Sequence, residues 1–355
     1  MAARVAAVLL GLVALLALAG PASAHVGDGR AGSDFDGRVL SVTPGIPGVT
    51  VRVLSFGDEL EVVNPTGTEL AVPGYSGEPY LRIGPDGVWR NRLSPATTIN
   101  LDRYGRTPLP DDADPLAAPD WVQVSTEPAY TWHDHRTHWM SEGQLPPAVA
   151  ADPTTDHVVF AWTVPMAYGS QDVAVAGELT WSPPPPSWLV WPVYALVLLA
   201  VALAGLRGPR PLAGALGVGA VASLWHALAT PVPAVTAGSH TGALLSALLP
   251  ALLVGAVSVL GIRAACRGRG GLTGVLAVVA GWLLLVQGLP DVDVLWTANV
   301  LATGPALLAR AAVVVLLAGG IGLVVGGAVA ARRSRTVDPS TDPSTGSSSG
   351  TPVPA

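Results

Sequence analysis

The sequence predicts two parts, an all-β domain followed by an α-helical membrane domain of five transmembrane helices. Half of the 355 residues are hydrophobic and only 12% are charged, which is too apolar for an ordinary soluble domain. The apolar residues concentrate at the N-terminus and after Trp188, whereas the segment between is polar and acidic. This uneven distribution favours an exported domain attached to a membrane part.

Residues 1–24 have the pattern of a signal peptide. Arg4 supplies the positive n-region, "VAAVLLGLVALLALAG" the apolar h-region and "ASA" a small-residue cleavage site. Cleavage after Ala24 would make His25 the first residue of the mature chain, and an uncleaved anchor helix is the alternative. A free α-amine beside the imidazole of His25 could chelate one copper ion.

Residues 25–181 have the pattern of an all-β, Ig-like sandwich. Short Val- and Leu-rich runs cover 38–72, 156–164 and 172–181, with Gly, Pro, Asn and Asp between them. Several short strands at this spacing are typical of an antiparallel sandwich. Residues 94–121 are rich in Pro and Asp and are predicted to be mostly loop.

The predicted exported segment is acidic and contains no cysteine. Residues 25–187 hold 21 Asp and Glu against 9 Arg, a net charge of about −12 (9 − 21). This charge argues against nucleic acid and anionic membrane surfaces as partners, and it is compatible with cation capture. The single cysteine, Cys266, falls in a predicted cytoplasmic connection. The segment therefore cannot form a disulfide, a type-1 copper site, a thiolate iron–sulfur cluster or a covalent haem.

A proline-rich linker, residues 182–187, precedes a transmembrane domain assigned to residues 188–335. Its five apolar segments are each long enough to cross a bilayer: 188–206, 211–229, 241–262, 272–289 and 305–330. Arginines cluster in alternate connections, at 207–210, 263–271 and 331–335. The positive-inside rule places these connections in the cytoplasm and the β domain outside the cell membrane. Residues 336–355 are predicted to be a disordered cytoplasmic tail.

Polar groups of the membrane part fall near the predicted outer ends of the helices: His226, His240, Asp291, Asp293 and Arg310. Ionisable groups in membrane segments are candidates for function, and these could form an ion site or a docking surface under the β domain. Snorkelling to the headgroup region is the alternative. The absence of ionisable residues deep in the predicted helices disfavours a transporter.

The stretch "YTWHDHRTHWM", residues 130–140, contains His133, His135 and His138. On a strand, His133 and His135 would share one face, and His138 could complete a site through a turn. Neutral imidazoles suit copper, zinc or nickel, and the thioether of Met140 would favour Cu(I). With His25, these residues predict a metal site whose first ligand to test is copper.

A structural role for the same stretch is the alternative. Asp134 and Arg136 alternate with the histidines, and Trp132 and Trp139 flank them. Such a mixture could form an ion-paired, ring-stacked knot that pins a long loop to the sandwich. Metal binding and loop anchoring both remain open from the residues alone.

No enzyme motif is present. The sequence "GYSG" at 74–77 is not the G-x-S-x-G elbow, and H-E-x-x-H, a Walker loop and a helix-opening G-x-G-x-x-G are missing. We therefore expect a protein that is not an enzyme.

The layout resembles bacterial copper-handling proteins of the CopC and CopD type, in which a small exported β-sandwich with an N-terminal histidine accompanies a multi-helix membrane domain. The matching features are His25, the strand pair within 156–181 and the membrane half. This resemblance implies a CopC-like sandwich and copper as the cofactor, although CopD-like domains have more than five helices. "GEPYLRI" (77–83) with "WHDHRTHWM" (132–140) is more similar to a family of exported-domain, multi-helix membrane proteins of high-GC Gram-positive bacteria, a likeness that implies no activity.

These observations predict a membrane-anchored extracytoplasmic binding protein, in contact with the lipid bilayer, that binds or traffics copper through its histidine-rich site. The competing hypothesis is a metal-free cell-envelope interaction or assembly protein whose exported domain binds another protein.

Overall fold

The computed structural model describes residues 31–231 and 240–336, which form two compact units. The first unit contains the β domain up to Trp191 together with residues 226–231, 240–249 and 289–313. The second contains residues 192–225, 250–288 and 314–336. The predicted signal peptide, His25 and the predicted tail after Thr336 lie outside the described residues.

The first unit contains the β-strands of the described chain. They are β1 (Gly32–Ser33), β2 (Phe35–Thr43), β3 (Thr50–Leu54), β4 (Glu59–Val63), β5 (Leu70–Pro73), β6 (Pro79–Gly84), β7 (Gly87–Asn91), β8 (Trp121–Ser125), β9 (Ala129–His133), β10 (His157–Tyr168), β11 (Gln171–Trp181) and β12 (Asn299–Val300).

Two antiparallel sheets build the β domain. The larger has seven strands in the order β2-β11-β10-β5-β6-β7-β8, and the smaller has the order β3-β4-β9. A short third sheet pairs β1 with β12. Burial alternates along the strands: in β10, the buried residues Trp162, Val164 and Met166 are separated by the exposed Thr163 and Pro165. One face of each strand therefore turns to the core, as the period of two in the sequence predicts.

The hydrophobic core lies between the two larger sheets. Leu60 of β4 and Trp132 of β9 belong to the same buried cluster as Leu81 of β6 and Val175 of β11. Two antiparallel sheets that share one core form a sandwich-like domain, so the predicted all-β domain is confirmed at this level.

The predicted loop at 94–121 is mostly irregular, with one short helix, α1 (Pro95–Ile99), near its start. Both of its ends are held by Asn91, a buried residue. The Asn91 carbonyl oxygen Oδ1 accepts hydrogen bonds from the N–H groups of Leu93 (3.1 Å) and Asp120 (3.0 Å). A second short helix, α2 (Pro147–Ala151), precedes β10.

Six further helices follow the proline-rich linker in the described residues: α3 (Ser187–Arg207), α4 (Pro209–Ala229), α5 (His240–Cys266), α6 (Gly270–Gly288), α7 (Ala306–Val314) and α8 (Gly320–Thr336). A 3-10 helix, Leu289–Leu295, continues α6, and a π-helical turn, Val315–Gly319, joins α7 to α8. Five spans of the described chain are long and apolar enough to cross a membrane. The number of these spans agrees with the five apolar segments that the sequence predicts.

Glycines allow α6 and α8 to approach closely within the second unit. A Cβ atom built on Gly281 would lie 2.6 Å from the carbonyl oxygen of Gly320, and one on Gly274 would lie 2.5 Å from that of Gly327. These distances leave no room for a side chain. Backbone contact through small residues is the usual way in which membrane helices pack.

Candidate functional site

The histidine stretch leaves strand β9 at His133 and closes into a turn, and we call residues 132–139 the histidine turn. The backbone N–H of Thr137 donates to the carbonyl of Asp134 at 3.0 Å. The Thr137 hydroxyl lies within hydrogen-bond distance of the same carbonyl, at 2.8 Å, and of the carbonyl of Gly57, at 2.7 Å. The turn is therefore bonded both to itself and to the segment that precedes β4.

Asp134 lies at the centre of the histidine turn and is 0% exposed. The guanidinium of Arg136 donates to both carboxylate oxygens, at 2.8 and 2.6 Å. The indole N–H of Trp132 donates to Oδ2 at 2.9 Å. Arg136 also lies over the ring of Tyr75, 5.2 Å from its centroid. The ion-paired, ring-stacked arrangement that the alternating residues suggested is present, with Tyr75 as the stacking partner.

Charge pairing decides the protonation of Asp134. Burial alone would raise the pKa of this carboxyl, but the hydrogen bonds and charge of Arg136, together with the Trp132 N–H, outweigh burial and hold the pKa below its ordinary value. Asp134 is thus an ionised, fully paired group under neutral conditions.

Each of the three histidines has its own surroundings. The Nδ1 of His133 lies 3.3 Å from the carbonyl of Asp58. His135 stacks on Tyr75 at a centroid distance of 5.9 Å, and its Nε2 lies 3.0 Å from the carbonyl of Asp102. Burial lowers the pKa of His135, so its imidazole is neutral at pH 7. These contacts hold the turn against three separate loops.

His138 is the most enclosed of the three, at 2% exposure. Burial, followed by the positive charge of Arg103, lowers its pKa to about 3. Its Nδ1 lies 3.3 Å from the carbonyl of Trp139 and is the nitrogen that donates. Its Nε2 is buried and has no hydrogen-bond partner among the described residues. His138 thus presents an unused imidazole lone pair to the interior.

The predicted metal ligands are only partly brought together. The rings of His135 and His138 meet edge to face with centroids 5.4 Å apart, while Met140 is partly buried at the end of the turn. Over residues 31–231 and 240–336, no group of three or more His, Cys, Asp or Glu side chains could hold a metal ion. Because His25 lies outside the described residues, the metal site remains a prediction.

A cleft of about 720 Å³ opens beside the histidine turn within the first unit. We call it the Asp34 cleft. Its walls come from the β domain and from the segment that follows α6. The residues that line it are Gly32, Ser33, Asp34, Phe35, Ser55, Phe56, Asp58, Arg103, Tyr104, Trp139, Ser141, Glu142, Gly143, Gln144, Leu145, Trp181, Pro290, Val292, Asp293 and Thr297.

One corner of the cleft combines a carboxylate with aromatic rings. Phe35 and Trp181 are cross-strand partners in the β2–β11 pair, and their rings meet edge to face at 5.1 Å. Asp34 precedes Phe35, and its Oδ1 accepts the N–H of Ala298 at 2.9 Å. Burial raises the pKa of Asp34, a change that this hydrogen bond only partly offsets.

A second part of the wall is built around an ion pair between Asp58 and Arg103, both largely buried. The other carboxylate oxygen of Asp58, Oδ1, is buried without a hydrogen-bond partner in the described chain, as is the indole nitrogen of Trp181. Buried polar groups in this state are uncommon in folded proteins. Asp58 and Trp181 both belong to residues that line the Asp34 cleft.

The backbone next to Asp58 is strained. Ser55 and Phe56 adopt left-handed conformations, with φ of 51° and 61°, and Gly57 follows with φ of 118°. A non-glycine residue in this region costs about 1–2 kcal/mol. The Ser55 hydroxyl, which donates to Glu59 at 3.1 Å, and the Thr137 hydroxyl on the Gly57 carbonyl hold the conformation. The histidine turn therefore supports one wall of the Asp34 cleft.

The opposite wall belongs to residues 289–303, which we call the docking segment. It pairs with the start of the β domain through Gly32 opposite Val300. Asp293 accepts the backbone N–H groups of Ala31 and Gly32, each at 3.1 Å. Several independent bonds thus fix this segment to the β domain.

The polar groups predicted near the helix ends have specific partners in the first unit. The Nε2 of His226 lies 2.7 Å from the Oδ2 of Asp291. Arg310 donates to the carbonyls of Thr297 and Ala298, each at 2.7 Å. These bonds attach α7 to the docking segment. The side chain of His240 lies outside the described residues.

Sequence reasoning missed the Asp34 cleft. Asp34, Phe35 and Trp181 carry no motif, and Asp58 and Arg103 lie in segments that the sequence does not connect. Comparisons with protein-family models, with curated proteins and with solved structures gave no match.

Proposed function

We propose that this chain is a membrane-anchored extracytoplasmic binding protein whose ligand occupies the Asp34 cleft. The observation that carries the proposal is the cleft itself, about 720 Å³ between the β domain and the docking segment. Small-molecule sites are typically preformed cavities of roughly 300–1,000 Å³ with aromatic walls and a few polar groups. The strained backbone at Ser55 and Phe56 supports it too, because such strain clusters at ligand sites.

The proposal places the β domain outside the cell, as an Ig-like, CopC-like sandwich exported by a signal peptide. The signal-peptide pattern at 1–24 and the arginine-rich alternate connections support this orientation. A reporter fused after Arg335 should indicate the cytoplasm, and one fused after Ser187 should indicate the exterior. The opposite result at either position would overturn the orientation.

The binding function is tested on the full chain in nanodiscs, with the cleft open or filled. Ser141 is an exposed lining residue, and Ser141→Trp would place an indole in the opening. Ser76→Trp is the matched control, since Ser76 is also exposed and lies outside the lining. The probes are Cu(I), choline, agmatine and glucose, and binding is read as a rise in melting temperature.

At least one probe should stabilise the parent and Ser76→Trp but leave Ser141→Trp unchanged. If no probe shifts the parent, or if every shift seen in the parent survives in Ser141→Trp, the cleft is not the binding site.

Copper binding at the histidine turn is the second candidate, and the unpartnered Nε2 of His138 favours it. Because Nδ1 serves the Trp139 carbonyl, Nε2 carries the lone pair that a metal requires. The test is the copper and zinc content of the full chain with native His25 and no affinity tag of histidines. Affinity tighter than micromolar that falls strongly in His138→Gln supports this site, and its absence removes it.

A further inference from the structure

The charges of the Asp34 cleft point to the class of ligand. Its lining carries four carboxylates, those of Asp34, Asp58, Glu142 and Asp293, against the single guanidinium of Arg103. The formal balance is therefore −3 (1 − 4). A site lined by one sign of charge in low-dielectric walls attracts the opposite sign.

Three of these carboxylates have a cation or several donors as partners. Asp58 pairs with Arg103, and Glu142 pairs with Arg106 at 2.8 Å. Asp293 accepts two N–H groups at one oxygen, those of Ala31 and Gly32, and a third at the other. The charges of Asp58 and Glu142 are thus paired with arginines, and both carboxylate oxygens of Asp293 are occupied by N–H donors.

Asp34 differs from them. Within the described residues, its carboxylate accepts the single N–H of Ala298, and no cation pairs with it there. The raised pKa has the same origin, since a half-buried carboxylate without a cationic partner loses hydration without compensation. A cation placed in the cleft would supply that compensation.

Aromatic residues line the same cleft as Asp34. Phe35 and Trp181 form the adjacent corner, and Phe56, Tyr104 and Trp139 line the same cleft. Aromatic faces attract cations, most strongly when the cation is already weakly hydrated. Quaternary ammonium and guanidinium groups meet this condition better than a small inorganic ion does.

We propose that the Asp34 cleft binds the ammonium or guanidinium group of an organic cation, held by the Asp34 carboxylate and the Phe35–Trp181 corner. This inference rests on the binding function proposed above and specifies its ligand class. The same headgroup chemistry occurs in free solutes and in zwitterionic lipids, so the experiment has one arm for each source.

The experiment compares choline with 3,3-dimethylbutan-1-ol, a neutral molecule of nearly the same shape, by calorimetric titration of the full chain. The chain is held in phosphatidylglycerol nanodiscs, which offer no competing cation. Choline should bind about tenfold or more tightly than its neutral counterpart. Asp34→Asn keeps an oxygen for the Ala298 N–H and should remove that preference. Asp36→Asn makes the same charge change at a residue outside the lining and should leave it intact.

A second arm uses nanodiscs that contain phosphatidylcholine. If apparent choline affinity falls several-fold there, the lipid headgroup occupies the cleft; if affinity is unchanged, the ligand is a free solute. Equal binding of choline and the neutral alcohol, or full binding by Asp34→Asn, would overturn the cationic ligand while leaving a binding cleft in place. No binding of either molecule, with no stabilisation by the wider panel, would overturn the binding function as well.

Discussion

Replacement of Asp134 by alanine is expected to destabilise the β domain strongly in the complete absence of metal. The buried carboxylate accepts the indole N–H of Trp132 and the guanidinium of Arg136. Alanine would leave both donors without a partner. Trp132 is itself in the core, so its N–H has no access to water in the native packing.

The magnitude follows from these lost partners. An unsatisfied buried N–H costs about 1–3 kcal/mol, and breaking a buried ion pair by removing one partner costs about 3–5 kcal/mol. The Arg136 side chain is 20% exposed, so water can partly rehydrate it in the variant. The expected loss in the free energy of unfolding is therefore about 3–5 kcal/mol. At about 2–4 °C per kcal/mol for a domain of this size, the melting temperature should fall by roughly 6–20 °C.

The assay is thermal unfolding of the full chain in detergent with EDTA, followed by tryptophan fluorescence. Asp112→Asn is the control, because Asp112 belongs to an exposed ion pair with Arg92 and should leave the melting temperature unchanged. In the double variant Asp134→Ala with Arg136→Met, part of the loss should be recovered, since removing both charges leaves none unpaired. An Asp134→Ala protein that melts within about 2 °C of the parent would refute the structural role of the histidine turn.

Three further predictions concern acid stability, pH-dependent binding and the membrane part. The pKa of His138 is about 3 in the folded chain and about 6.5 in the unfolded chain, so between these values only the unfolded chain binds a proton there. The free energy of unfolding should therefore be highest above pH 6.5 and should fall as pH is lowered towards 3. The slope should reach about 1.4 kcal/mol per pH unit, and His138→Gln should flatten it in denaturant titrations at pH 7, 5 and 4; an unchanged slope would show that His138 titrates normally. Choline affinity should rise as pH rises through the raised pKa of Asp34, because only the ionised carboxylate attracts the cation, and a flat profile in Asp34→Asn is the control. Gly281→Leu should abolish the folded membrane part, judged by aggregation in detergent, because its Cβ would lie 2.6 Å from the Gly320 carbonyl; Gly255→Leu, with open space around its Cβ, should be tolerated.

The sequence by itself determined the division into a β domain, a linker and five membrane-spanning helices. These features depend on local properties, namely a period of two along the strands and uninterrupted apolar runs of membrane-spanning length. In the structure, β11 finishes at Trp181 and α3 begins at Ser187, the last residue of the predicted linker. Local pattern is sufficient there because each element is recognised from its own residues.

For the histidine turn, the sequence identified the residues but did not decide between metal binding and loop anchoring. The Asp134–Arg136 pair is two residues apart and could be read directly. The other partners could not: Tyr75 lies 60 residues from His135, and Asp58 lies 75 residues from His133. A ligand and a structural histidine have the same sequence pattern, and only the surrounding contacts distinguish them.

The Asp34 cleft was decided by tertiary structure alone. Antiparallel pairing of β2 with β11 joins Phe35 to Trp181 from opposite ends of the β domain. The docking segment then returns to the first strand, where Asp293 meets Ala31 across 262 residues of sequence. Periodicity reports which face of an element is buried, but not which distant element will cover it. Pairing over such separations depends on the whole packed chain. No local sequence pattern therefore predicts that the Asp34 carboxylate and the rings of Phe35 and Trp181 line one cleft.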